Sequence, residues 1–330
     1  MKSNILCFAI TLFAAGCDPG AIDTSCIRES WTSSDAVWTS FSAGGCGLRQ
    51  DGSILCSHGL PSTLSTPGPY VWFSGTSWGG VGTRFCAVDG DAVLHCWRYE
   101  WLSETTPVTT TFSSPSGYQL GMWQWPDGVC ALSVQGTVHC WYGVLSGQNW
   151  QPDRPDYPPT NTYLAGIRSF DGWSVFSGDW VIDADGDAVL YDFTDPAFDD
   201  PVEMARSSGH VNAVWANEDV ACVTTEDGEY DCFGFLDSCG LSRGVCNPPF
   251  ASYRQIALDG YLGCGIVEDG TIRCWGLNGL TDGIPPFCGQ LDPPSGSFTQ
   301  ISAGPDVVCG VRDDGHAVCW GNDAFRLAPP

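Results

Sequence analysis

Cys46/Cys56, Cys86/Cys96, Cys130/Cys140, Cys222/Cys232, Cys264/Cys274 and Cys309/Cys319 all recur at one ten-residue step. In the clearest unit, Cys264 to Cys274, Val267 and Ile272 are β-prone and Asp269-Gly270 signals a turn. A three-residue loop, Glu268-Asp269-Gly270, needs its last residue in the left-handed region, which glycine enters without steric cost. Val267 then faces Thr271, and counting outward sets Cys264 opposite Cys274. If Val267 and Thr271 exchange the closing hydrogen bonds, the cysteines form a non-hydrogen-bonded pair. Such pairs bring Cα atoms to about 4.5 Å, within disulfide reach. Closing a loop this short contributes about 2.5–3 kcal/mol on the chain-entropy model. The rival reading is zinc, which takes four ligands in closely spaced pairs. Here nine residues separate the two thiols of a unit, and equivalent hairpins on neighbouring packed sheets would lie about 10 Å apart. The step predicts disulfides.

The text around each pair also recurs. The last unit reads FTQISAGPDVVCGVRDDGHAVCWGND and the one before it RQIALDGYLGCGIVEDGTIRCWGLNG. A fragment at 181–193, VIDADGDAVLYDF, aligns with CAVDGDAVLHCW and supplies a hidden unit, with Ile182 and Asp192 at the cysteine positions. Seven units result, with first positions 46, 86, 130, 182, 222, 264 and 309. A period of this length, built from short strands and glycine turns, points to propeller blades. Ile301-Ser302-Ala303-Gly304, Asp314-Gly315 and Trp320-Gly321-Asn322, with Asp269-Gly270 and Trp275-Gly276-Leu277-Asn278, resemble the regulator of chromosome condensation repeat. The resemblance is to its cysteine-bearing version in exported bacterial proteins. It covers about residues 35–325, with degenerate middle units and without the glycine-glutamine-leucine-glycine segment that often follows the tryptophan. It implies an all-β, seven-bladed β-propeller whose loops bind proteins. Small ISAG-type residues suit the crowded inner strand, and Trp97, Trp141, Phe193, Phe233, Trp275 and Trp320 are expected to pack between blades.

The chain opens with Lys2, an apolar run from Ile5 to Ala15, then Ala14-Ala15-Gly16-Cys17. A positive start, a short apolar stretch and small residues make a secretory signal, too short for a membrane span. The ending resembles a bacterial lipobox, with Ala14 where an aliphatic residue is usual, and implies lipidation of Cys17. The alternative is an ordinary signal peptide cut nearby. The expected organisation is a signal at 1–16, a lipidated tether at 17–30 and one propeller domain at 31–330. Loss of 1–16 removes one cation and no acid, moving the net charge from −25 to −26. So acidic a surface repels nucleic-acid phosphates and anionic lipids. Membrane contact is then through the lipid alone, and a monomer is expected.

Sixteen cysteines remain after Cys7 and Cys17, an even number in an oxidising compartment. Cys239 and Cys246 are expected to clip a long loop. Cys26 and Cys288 are left over, and a bond between them would fasten the ring. Chemistry is sparse. His95 and His139 share one hairpin position, before the second cysteine, and so read as repeat features; His58, His210 and His316 fall in no zinc-binding helix motif. There is no glycine-flanked nucleophilic serine and no phosphate loop. Asp183, Asp185 and Asp187 invite a calcium reading, but a calcium loop needs glycine at its sixth position and glutamate at its twelfth, where Ala188 and Thr194 stand. No catalytic residue, metal or cofactor is expected. Trp123 and Trp215 lie seven residues before the first cysteine of their units, where Ser302 sits in the last, and are the candidate ligand rim. The leading expectation is a non-catalytic module binding an envelope or extracellular protein. Carbohydrate binding or polysaccharide cleavage is the first alternative, and a structural envelope component the second.

Overall fold

The structure, a computed structural model, describes residues 26–27, 38–42, 45–56, 68–78, 82–100, 108–124, 128–141, 161–163, 169–171, 179–192, 202–207, 211–216, 220–225, 229–234, 245–259, 262–276, 289–304 and 307–322. Among them there is no helix, and the strands form seven antiparallel sheets. Each sheet is built on a cysteine-type hairpin with one strand preceding it. Blade 1 is Trp38–Phe41, Cys46–Arg49 and Ile54–Cys56. Blade 2 is Tyr70–Trp78, Gly82–Asp89, Val93–Glu100 and Val108–Ser116. Blade 3 is Tyr118–Gln124, Gly128–Ser133, Val138–Trp141 and Asn161–Tyr163. Blade 4 is Ser169–Asp171, Asp179–Ile182, Ala188–Asp192 and Val202–Ser207. Blade 5 is Val211–Ala216, Val220–Thr225 and Tyr230–Gly234, and blade 6 is Tyr253–Asp259, Leu262–Val267 and Ile272–Gly276. Blade 7 is Phe298–Gly304, Val307–Arg312 and Ala317–Asn322, with Cys26–Ile27 as its outer strand.

The first strand of each blade lies innermost. First strands touch at five blade boundaries (2 with 3, 4 with 5, 5 with 6, 6 with 7 and 7 with 1), and those of blades 2 and 7, which are not neighbours, also touch. Only strands around a common axis can do this. Apolar clusters fill six of the seven blade interfaces among the described residues: 1 with 2, 2 with 3, 4 with 5, 5 with 6, 6 with 7, and 7 with 1. Trp97, Trp141, Trp275 and Trp320 each pack in a cluster shared with the preceding blade, as expected. Two of these indoles also donate to a carbonyl, Trp275 to Val245 at 2.6 Å and Trp320 to Gln290 at 2.9 Å. Phe233 lies in the last strand of blade 5, opposite Ala221; Phe193 is outside the described residues. Close packing also explains the glycine after the first cysteine. A Cβ on Gly265 would overlap the Tyr253 ring, which lies across the same sheet.

The predicted register holds. Cys264 faces Cys274, the Val267 amide donates to Thr271 at 2.9 Å, and Gly270 has φ +86°. Disulfides join Cys46–Cys56, Cys86–Cys96, Cys222–Cys232, Cys264–Cys274 and Cys309–Cys319, with Cα separations of 4.0–4.1 Å. Cys130 is disulfide-bonded and faces Cys140. Cys246 is disulfide-bonded, while its expected partner Cys239 and the residue Cys288 lie outside the described residues. Disulfides this numerous belong to an oxidising compartment.

Two expectations need correction. The hidden unit exists, but its cysteine positions are Trp180 and Leu190, which face each other, and not Ile182 and Asp192. The alignment matched Gly186 to Gly90. Gly186 is the left-handed turn residue of blade 4 at φ +84°, whereas in blade 2 that place belongs to Ala92, at φ +61°. Identical letters therefore stand two positions apart in the two hairpins, and the residue after the second cysteine position is Tyr191, not Phe193. The second concerns the N-terminal segment: Cys26–Ile27, inside the stretch read as a tether, pairs with Asn322 and Gly321 and completes the last blade.

An alanine at φ +61° is strained by about 1–2 kcal/mol, against about 0.5–1 kcal/mol of extra chain entropy for glycine. Ala92→Gly is therefore expected to raise unfolding stability by about 0.5–1 kcal/mol in urea denaturation. Cys309→Ser with Cys319→Ser should lower it by about 2.5–3 kcal/mol in the same assay.

Candidate partner-binding face

One end of the propeller is formed by the hairpin turns and the starts of the inner strands, and its backbone is tied into a belt. In five turns the carbonyl of the left-handed residue accepts the amide that opens the next blade. The pairs are Gly52 with Tyr70, Ala92 with Tyr118, Gly186 with Val211, Gly270 with Phe298 and Gly315 with Trp38, at 2.7–2.9 Å. The last of these crosses from blade 7 to blade 1. Two residues earlier in the turn, the Gly90, Val134, Glu268 and Asp313 amides donate to Pro69, Gly117, Ser252 and Ser297 in the lead-in to their own blades, at 2.9–3.2 Å. Amides and carbonyls that a loop would leave to water are thus paired with each other. Nearer the axis, the Gln255 side chain donates to the Ile301 carbonyl and accepts the Ile301 amide, both at 3.1 Å, and Gln300 accepts the Phe41 amide at 3.0 Å.

Five aspartates of this end, Asp51, Asp89, Asp183, Asp269 and Asp314, bond to their own turns. The amide following the left-handed residue is accepted by a side chain in six turns: Ser53 by Asp51, Val93 by Asp89, Thr137 by Ser133, Asp187 by Asp183, Thr271 by Asp269 and His316 by Asp314, at 2.9–3.0 Å. Asp183 also accepts the Asp185 amide at 3.0 Å. The triplet singled out for calcium is therefore arranged as a self-bonded turn, and among the described residues no group of three ligating side chains gathers. Hydrogen bonds from Ser53 and from Thr271, side chain first and then backbone, hold the Asp51 and Asp269 carboxyls below the ordinary value of 3.8, and the His316 amide does the same for Asp314. Partial burial works to raise Asp89, but hydrogen bonds from His95, Val93 and Asp91 outweigh it and keep it lowered.

His95 and His139 occupy the same register, facing Ala87 and Ala131, and both fasten their sheets. His95 binds Asp89 through Nε2 at 2.8 Å and Ser113 through Nδ1 at 2.9 Å, with its ring edge-on to Tyr70. His139 Nδ1 meets the Tyr118 hydroxyl at 2.6 Å; burial lowers the imidazole and pushes the phenol up to about 12, so the phenol donates to a neutral ring.

The candidate rim tryptophans do not share one position. Trp215 faces Cys222, as Ser302 faces Cys309, and it is half-buried against the cluster between blades 5 and 6. Trp123 faces Val129, and Met122 takes the place opposite Cys130. Counting back seven residues assumed inner connections of constant length, and that of blade 3 is one residue longer than those of blades 5, 6 and 7. Of the other tryptophans outside the packing position, Trp38 is buried at the ring seam and Trp72 packs against the cluster between blades 2 and 3. The residues that sequence reasoning missed are Val71, Val134 and Phe250, the large apolar side chains exposed among the described residues, at 67, 56 and 92%. Val71 is the bulged second residue of its inner strand, Val134 sits in the blade 3 turn, and Phe250 precedes Ser252, whose carbonyl joins the belt. All three stand at the turn end. Val134 stands where the turns of blades 6 and 7 carry Glu268 and Asp313, and it is the one signal that pointed there.

No protein-family model and no curated protein matches this sequence. Solved structures do match. Prp20p from Saccharomyces cerevisiae, described with its binding to Gsp1p and histones, is 13% identical with a TM-score of 0.52, covering 87% of this chain and 83% of its own. Yeast RCC1 (Prp20) bound to Kap60 is 13% identical with a TM-score of 0.50, covering 100% and 89%. Human WBSCR16 is 14% identical with a TM-score of 0.51, covering 81% and 82%. The fold is the RCC1-type propeller. In this chain the disulfide-stapled hairpin of most blades carries the repeat.

Because the aspartate values are lowered, the stability these carboxylates confer is complete above the ordinary value of 3.8 and is lost as pH falls through their folded values. Urea unfolding should weaken progressively as pH is lowered through that range, and Asp89→Asn should show a shallower acid dependence than the parent chain.

Proposed function

We propose that this protein is an exported bacterial lipoprotein, lipidated at Cys17, whose propeller is a non-catalytic module that binds a protein partner at the cell envelope. The observation that carries the binding reading is the placement of Val71, Val134 and Phe250 on one end of a ring whose backbone polar groups are already paired. Apolar side chains held in water on rigid turns are favourable to cover, and a rigid surface loses little entropy on binding. The acidity of the chain, −25 overall, favours a partner that surrounds its apolar patch with basic residues and disfavours nucleic acid. The binding of Gsp1p and histones by Prp20p, a protein of the same fold, supports a protein partner as the ligand class. The disulfides, with the N-terminal apolar run and Ala14-Ala15-Gly16-Cys17, support export. The propeller is read as a monomer tethered by lipid.

Capture from envelope extract with the tagged full chain tests this reading. The parent chain should retain a defined protein, eluted by salt together with mild detergent. Val71→Asp with Val134→Asp should abolish capture while leaving the thermal midpoint unchanged, because both side chains are exposed. Capture that survives both changes, and Phe250→Asp as well, would place the binding surface elsewhere.

A further inference from the structure

The ring-closing strand fixes which end of the propeller a lipid anchor can hold. Ala317–Asn322 runs away from its turn at Gly315, so Asn322 lies at the end of the blade opposite the turns. Cys26–Ile27 pairs antiparallel to it, Cys26 with Asn322 and Ile27 with Gly321. The chain therefore enters the propeller at the end remote from the turns and runs toward the turn end, where Trp38 is received by Gly315. Between Cys17 and Cys26 there are eight residues, which reach at most about 30 Å when fully extended. Six strand residues from Ala317 to Asn322 already span about 20 Å. A tether that had to climb the blade to bring the turn end against a bilayer would have about 10 Å left. We infer that the lipidated protein sits with the end opposite its turns toward the membrane, and presents the turn end, with Val71, Val134 and Phe250, away from it. This rests on the lipidation of Cys17 proposed above. It deepens that reading by naming the face open to a soluble or opposing partner, and it accounts for exposed apolar side chains in a protein held beside a bilayer: they are directed away from the lipid.

The test uses the full chain, produced in a bacterial host and reconstituted into vesicles containing nitroxide-labelled lipids. A fluorescent amino acid replaces either Ser77, at the remote end of Tyr70–Trp78, or Gln135, in the blade 3 turn. Mass analysis of the N-terminal peptide reads lipidation separately. The expected result is a lipidated peptide with quenching several-fold stronger at position 77 than at position 135. Equal quenching, or stronger quenching at 135, in lipidated protein overturns the orientation and leaves the lipoprotein reading intact. A peptide without lipid overturns both.

Discussion

The ring depends on one backbone hydrogen bond, from the amide that opens a blade to the carbonyl of the left-handed residue in the preceding turn. It needs that residue at positive φ, which is why five of the six described turns place glycine there and the sixth strains an alanine. The same bond joins blade 7 to blade 1. Closure is thus made by the repeat's own bond, reinforced by the Gln300 contact to Phe41, the cluster around Trp38 and Phe41, and the short strand Cys26–Ile27. Each blade exposes an apolar flank that it cannot cover alone, so the blades become stable together.

Disulfides and aromatics act on different parts of this problem. A cysteine pair constrains the unfolded chain and holds a hairpin in register, since a one-residue slip would turn its core face to solvent. The tryptophan after the hairpin fixes the spacing to the preceding blade, burying its ring and satisfying its N–H on a loop carbonyl where Trp275 and Trp320 do so. With the turn backbones bonded from blade to blade, side chains at this end are free to be shaped for recognition. Asp183, within the triplet that invited a calcium reading, satisfies turn amides, as Asp51, Asp89, Asp269 and Asp314 do in their own turns.

Local chemistry made much of this legible. The register of Cys264 with Cys274 and the left-handed Gly270 follow from the turn sequence, because a three-residue hairpin admits one geometry. The packing of Trp97, Trp141, Trp275 and Trp320 follows from their fixed offset. The failures came where position was inferred from letters. Gly90 and Gly186 sit in the same words but in different places of the turn, and backbone conformation decides which residue is left-handed. Trp123 was misplaced by one residue because the length of an inner connection cannot be counted from a neighbouring blade.

By itself the sequence determined the hairpins, their disulfides, the number of units and the face that packs inward, since each follows from interactions within about fifteen residues. Only the tertiary structure decided which strand closes the ring, that Trp38 is buried at its seam, and which end gathers the exposed apolar residues. Val71, Val134 and Phe250 are far apart along the chain, and Cys26 is nearly three hundred residues from Asn322. Their placement is set by the rotation from blade to blade, which no local pattern encodes.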